Sequence, residues 1–143
     1  GFSGFRAVKV GIVDERSEIA GCWQGIPQRK VGIRSDVLDG CPKAEGIMML
    51  IRSMSPTVII TDEIGRIEDA AAIREALNAG IRIIASAHAS DLQDALARPF
   101  LSQLLNSRIF ERVAVLGGSL GVGTLEKVYT GDHFTQLLPC PVR

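Results

Sequence analysis

The feature that most limits what this chain can become is a repeated phrase: a short β-rich run that ends on an ionisable side chain. Ala7-Val8-Lys9-Val10-Gly11-Ile12-Val13 closes on Asp14-Glu15, Thr57-Val58-Ile59-Ile60-Thr61 closes on Asp62-Glu63, and Ile81-Arg82-Ile83-Ile84-Ala85-Ser86 runs on to His88. Residues 44–54 carry a buried-helix pattern ended by Pro56. Residues 68–78 are Ala-rich, acidic at their start and closed by Gly80, the pattern of a capped helix. Strands apolar on both faces, alternating with helices, specify an α/β fold built on a parallel sheet. Such sheets bind ligands outside the carboxyl ends of their strands. Acid, acid and imidazole are therefore expected along one edge.

The remaining segments are less regular. Residues 21–42 are punctuated by Gly and Pro and read as one long loop, used at a subunit interface or ring pore, or else packed down by Trp23 and Ile33. Residues 91–107 read as helical with a break at Pro99, 112–116 as a fourth strand, and 125–130 with 133–138 as a terminal hairpin turning at Gly131-Asp132. A chain of 143 residues suits one domain spanning 1–143. Lys plus Arg and Asp plus Glu number 16 each, so bulk charge gives no argument for a nucleic-acid or membrane partner. No apolar run reaches the ~18 residues of a bilayer span, and the first residues lack the order of a signal peptide. Three cysteines without metal-type spacing suit a reducing cytoplasm.

The chemistry-bearing candidates follow from the strand ends. Val58-Ile59-Ile60-Thr61-Asp62-Glu63 fits a Walker B strand. A nucleotide-bound Mg²⁺ keeps most of its waters and needs a carboxylate beside them, a place suited to Asp62. A second carboxylate one residue on, Glu63, suits the base that orients or deprotonates the attacking water. Glu15 or Glu18 fits a contact to a metal-bound water or a ribose; equally, Asp14-Glu15 is a strand returning to solvent and Glu18 a solvated loop charge. His88 fits a γ-phosphate sensor or a satisfied structural histidine. Arg66 points to a neighbouring subunit's phosphate or to a surface salt bridge. No Gly-x-x-x-x-Gly-Lys-Ser/Thr string occurs; the nearest, from Gly118 to Thr124, lacks the lysine and is followed by a strand-like run.

Val10 to Cys22, Gly25-Ile-Pro-Gln28, Asp36-Val-Leu-Asp-Gly-Cys-Pro-Lys-Ala-Glu-Gly46, Met48 to Pro56 and Ile60-Thr-Asp-Glu-Ile-Gly65 closely resemble the stage III sporulation AA family of endospore-forming bacteria. The similarity runs from about Val8 to Thr130. It implies a RecA-like ATPase of the AAA/RecA class, similar to secretion and pilus motor ATPases, in which this chain is the carboxyl-terminal portion and the P-loop strand is missing. By resemblance Asp62 and Glu63 are the Walker B acids, residues 14–18 the acidic box and Ala87-His88 the histidine box. The resemblance also implies ATP and Mg as cofactors and a homo-oligomeric ring. The ring energises a mother cell–forespore channel complex from the cytoplasmic side, with the membrane channel proteins as partners and no nucleic acid. The family's P-loop lies upstream of the region matching Val8, so these 143 residues alone are expected to be inactive. Two other functions are open: a non-catalytic assembly module, and a nucleic-acid motor of RecA type. A related branch in cyanobacteria and plastids pairs a similar core with a nucleic-acid-binding domain.

Overall fold

The computed structural model describes residues 7–138 and divides into two compact units, 1–87 and 88–143. Cys140 lies outside the described residues. The first unit holds strands β1 (Val10–Asp14), β2 (Ser35–Asp39), β3 (Val58–Glu63) and β4 (Arg82–Ser86), with helices α1 (Lys43–Ser53) and α2 (Ile67–Asn78). The strands form one parallel sheet in the order β2-β1-β3-β4. The expected parallel α/β architecture is present.

The helices lie where the small residues let them. A Cβ placed on Gly11 would stand 2.6 Å from Leu50 of α1, and one on Gly46 of α1 would stand 2.5 Å from Val13 of β1. Helix and strand thus meet through glycine on both sides, and Val13, Ile47, Leu50, Ile59 and Ile73 are sealed in the core. Each such side chain contributes about 1.5–3 kcal/mol on burial. Gly46→Ala is therefore expected to reverse the usual sign of a helical glycine replacement. Alanine ordinarily gains about 1 kcal/mol in a helix, but here the overpacking should cost about 1–3 kcal/mol, read as a lower urea midpoint.

Helix α2 ends as its sequence implies. Ala79 is the C-cap, and Gly80 follows at φ +78, a left-handed conformation that suits glycine. Its start is fixed by the buried Asp69, whose carboxylate accepts the Gly65 and Arg66 backbone N–H groups at 3.1 and 3.0 Å.

Two expectations change. First, the loop of residues 21–42 contains a strand. β2 pairs with β1 over five residues, Val10 opposite Ser35 through Asp14 opposite Asp39. Ser-Asp-Val-Leu-Asp has little β-branched content, and as an edge strand it is only half-buried, so no periodicity marks it. Second, Trp23 and Ile33 do not pack the loop down; they are 69% and 103% exposed. The loop is pinned through backbone: Gln28 and Arg29 N–H donate to the Ala20 carbonyl at 3.1 and 3.0 Å, and the Arg29 guanidinium donates to the Glu18 carbonyl. At its tip Trp23 and Ile26 exchange two 2.9 Å backbone hydrogen bonds across Gln24 and Gly25. Both central residues have positive φ, 49° and 79°, the signature of a two-residue hairpin turn.

The second unit holds α3 (Leu92–Ala97), α4 (Pro99–Asn106), β5 (Arg112–Gly117), β6 (Thr124–Thr130) and β7 (Gln136–Leu138). The break at Pro99 is observed: Arg98 is extended at φ −86, ψ 121, and Pro99 opens α4. The 112–116 strand does not join the parallel sheet. β5 pairs antiparallel with β6, and β6 with β7, in a separate three-stranded sheet. The Gly118–Gly123 stretch is the β5–β6 connection.

Along the first sheet, β4 is an edge whose pairing is to β3 only among the described residues. Ile12 and Ile84 share a face by register and pleat. Ile12 is 2% exposed and Ile84 57%, so cover on that face thins toward β4.

Candidate functional site

The carboxyl ends of β1 and β3 are neighbours, and the residues just there form a network of three acids and three bases. Asp62 and Glu63 close β3, Glu15 and Arg16 follow β1, Lys43 is the first residue of α1, and Arg66 precedes α2. The Lys43 ammonium donates to Asp62 Oδ1, and to Glu15 Oε2 at 3.2 Å. Arg16 donates its backbone N–H to Asp62 Oδ2 at 3.3 Å and pairs its guanidinium with Glu63 Oε2 at 3.6 Å. Arg66 stands 3.7 Å from Glu15 Oε1.

Burial grades this network. The Asp62 and Lys43 side chains are 3% and 5% exposed, Glu15 24%, Glu63 38%, and the two arginines more than half exposed. Desolvation opposes the charge on Lys43, but hydrogen bonds and charge from Asp62 and Glu15 outweigh it and raise its pKa above the ordinary 10.5. A raised lysine pKa stabilises the fold fully below the unfolded value and loses that contribution as pH climbs through the folded one. The stability difference between wild type and Lys43→Met should thus stay level from neutral pH to near 10.5 and shrink above it, as read by urea unfolding across pH.

Asp14 is fully buried, and its carboxylate faces the chain that follows it. Oδ1 accepts from Glu18 N–H at 2.8 Å, Oδ2 from Ala20 N–H at 2.7 Å, and both lie 3.1 Å from Ile19 N–H. It thereby shapes residues 15–20, which carry Glu15 and Arg16. Glu18 takes part through its backbone, its side chain being exposed. His88 opens the second unit and is exposed. Glu15, Asp62, Glu63 and Arg66 are thus brought together; Asp14 holds the backbone of residues 18–20, just past Glu15.

Lys43 was not legible as a site residue. One signal was available: a lysine at the first helical position sits at the positive end of the macrodipole, where a cation is disfavoured. The thiols of Cys22 and Cys41 are pushed up, foremost by desolvation and then by nearby carboxylates, Asp39 and Asp14 for the first and Glu45 and Glu15 for the second. Neither is an activated nucleophile.

A metal here must be one that leans little on protein ligands. Among the described residues no three His, Cys, Asp or Glu side chains group closely enough to hold a metal. Two carboxylates, Asp62 and Glu15, do converge on a single cation, the ammonium of Lys43. That donor set fits Mg²⁺, which keeps its waters and takes further ligands from phosphate.

The family model for "Sporulation stage III, protein AA" matches residues 1–134. The chain belongs to the sporulation stage III AA family. It is 57% identical over 125 residues to stage III sporulation protein AA of Bacillus subtilis strain 168, covering 87% of this chain and 41% of that protein. It is also 35% identical over 99 residues to the uncharacterized protein ycf45 of Cyanidium caldarium, covering 68% of this chain and 29% of that one. The chain therefore spans well under half the length of these relatives. Among solved structures it is similar to the Legionella pneumophila ATPase DotB, with a TM-score of 0.55 and 13% identity over 88% of this chain and 37% of that one. The stage III AA chain thus shares its fold with an ATPase.

Proposed function

We propose that this stage III AA chain is the acid-bearing part of a RecA-like ATP-hydrolysing domain. The observation that carries the reading is the convergence of Asp62, Glu63 and Glu15 at the carboxyl ends of adjacent parallel strands, where such sheets act. Bound Mg²⁺ would neutralise charge on the transferring phosphate. In this reading Asp62 holds one of its waters, and Glu15 holds Lys43 and Arg66 beside it. Glu63, the most open of the three acids, orients the attacking water and takes its proton. Arg16 keeps Glu63 at the rim, and Asp14 keeps the 15–20 segment in shape. Arg66, more than half exposed, has the reach to meet a neighbouring subunit's phosphate, and His88 the place in sequence of a γ-phosphate sensor. Glu18 serves through its backbone.

The family supports a wider proposal. The full-length protein works as a homo-oligomeric ring on the cytoplasmic side of a membrane channel complex during endospore formation, with ATP and Mg²⁺ as cofactors and no nucleic acid. No helix among the described residues is long and apolar enough to cross a membrane. The test is ATP hydrolysis and calorimetric Mg-ATP binding by the full-length protein. Asp62→Asn is expected to weaken Mg²⁺-dependent binding by about tenfold or more, and a polypeptide limited to these 143 residues is expected not to bind. Wild-type full-length protein that neither binds nor turns over Mg-ATP would reduce the network to a structural one, the part of an assembly module.

A further inference from the structure

That reading holds Lys43 beside the site but gives its buried charge no task. Lys43 is 5% exposed, and it sits at the start of α1, where the helix dipole works against it. A helix gains nothing from a lysine there. Its two acceptors come from different strands: Asp62 from the end of β3, and Glu15 from just past β1. The ammonium therefore stands where a cation shared by both acids would stand.

We propose that Lys43 is a placeholder cation, a positioning residue that holds Asp62 and Glu15 together while the site is empty and yields Asp62 when a hydrated divalent ion arrives. The inference rests on the ATPase reading only for where that ion comes from. Three features make it physical. Both Asp62 oxygens are already in use, Oδ2 by the Arg16 N–H at 3.3 Å and Oδ1 by the Lys43 ammonium, and the side chain is 3% exposed, so a metal-bound water that reaches this carboxylate meets Lys43 there. A divalent ion and an ammonium repel at such range, more strongly because the site is buried. And Lys43 need not be abandoned on release: Glu15, at 24% exposed, remains as its second acceptor, and the four-carbon stem allows the swing. A permanent brace would instead need Lys43 on Asp62 in every state.

Amine acetylation followed by mass spectrometry on the full-length wild-type protein separates these. Without divalent ion Lys43 should react slowly beside the exposed Lys30. Millimolar Mn²⁺ alone should speed Lys43 by about tenfold and leave Lys30 unchanged; a Lys43 rate indifferent to Mn²⁺ overturns the proposal. The second measurement is Mn²⁺ binding by electron paramagnetic resonance. Lys43→Met should bind Mn²⁺ about tenfold more tightly than wild type, Lys43→Arg should not, and Asp62→Asn added to Lys43→Met should abolish the gain. A folded Lys43→Met protein with wild-type affinity also overturns it, and if that variant fails to fold, acetylation of the wild type still decides. Mn²⁺-dependent exposure of Lys43 in a protein without ATP turnover would sink the ATPase reading and leave the placeholder standing. Turnover with Lys43 always protected would do the reverse.

Discussion

Glu63→Gln in the full-length protein is expected to lower ATP turnover by about 10²–10⁴-fold while leaving ATP binding close to wild type. Glutamine keeps the size and a hydrogen-bonding oxygen but cannot take a proton from water. Glu63 is the most exposed acid of the network. It is 38% exposed and pairs with Arg16 at 3.6 Å, a long, wet contact of the kind that contributes little to stability. The same replacement at Asp62 would instead disturb the buried partner of Lys43. Melting temperature and turnover should therefore separate for Glu63→Gln, with the first nearly unchanged. Wild-type turnover by this variant would remove Glu63 from the role of base and move attention to Glu15.

Asp14→Ala should be among the most destabilising single changes in the first unit, at about 3–5 kcal/mol. The side chain is fully buried and accepts from three successive backbone N–H groups, those of Glu18, Ile19 and Ala20. Alanine leaves those donors without acceptors where little water reaches, and Ala20 is itself sealed from solvent. Urea denaturation gives the loss, and hydrogen exchange gives its place: protection should fall first at Glu18, Ile19 and Ala20. Asp14→Asn should be milder, because the amide oxygen can still accept.

How far the sequence foretold this arrangement depends on what kind of force holds each part. β1, β3, β4 and both helices of the first unit were legible because apolar periodicity and caps are local signals, and Gly80 sits at positive φ as its position implied. The acid-bearing edge was legible for the same reason: parallel strands put their ends together. β2 was hidden because an edge strand written Ser-Asp-Val-Leu-Asp has no hydrophobic rhythm of its own and takes its shape from β1. The 112–116 strand was recognised, yet its partner was not, since strand content does not say which neighbour will pair; β6 follows it closely and takes it antiparallel. Asp14 and Glu15 read alike in sequence and do different work, because Asp14 is the last residue of β1 and its carboxylate accepts from the Glu18, Ile19 and Ala20 N–H groups, whereas Glu15 lies past the strand end, where it meets Lys43 and Arg66. Lys43 escaped because its partners lie 19 and 28 positions away, beyond the reach of any spacing rule.

The hairpin at Trp23–Ile26 determines what light will report about this molecule. Trp23 is the chain's one tryptophan, and it stands at the tip of that turn, 69% exposed. Its emission should already resemble that of indole in water when the protein is folded, so melting of the Ile47–Leu50–Ile73 core will pass almost unseen in tryptophan fluorescence and calls for circular dichroism. A blue shift would have a single origin, the covering of residues 23–26. The native chain carries its own optical probe for whatever comes to rest on that turn, with no label required.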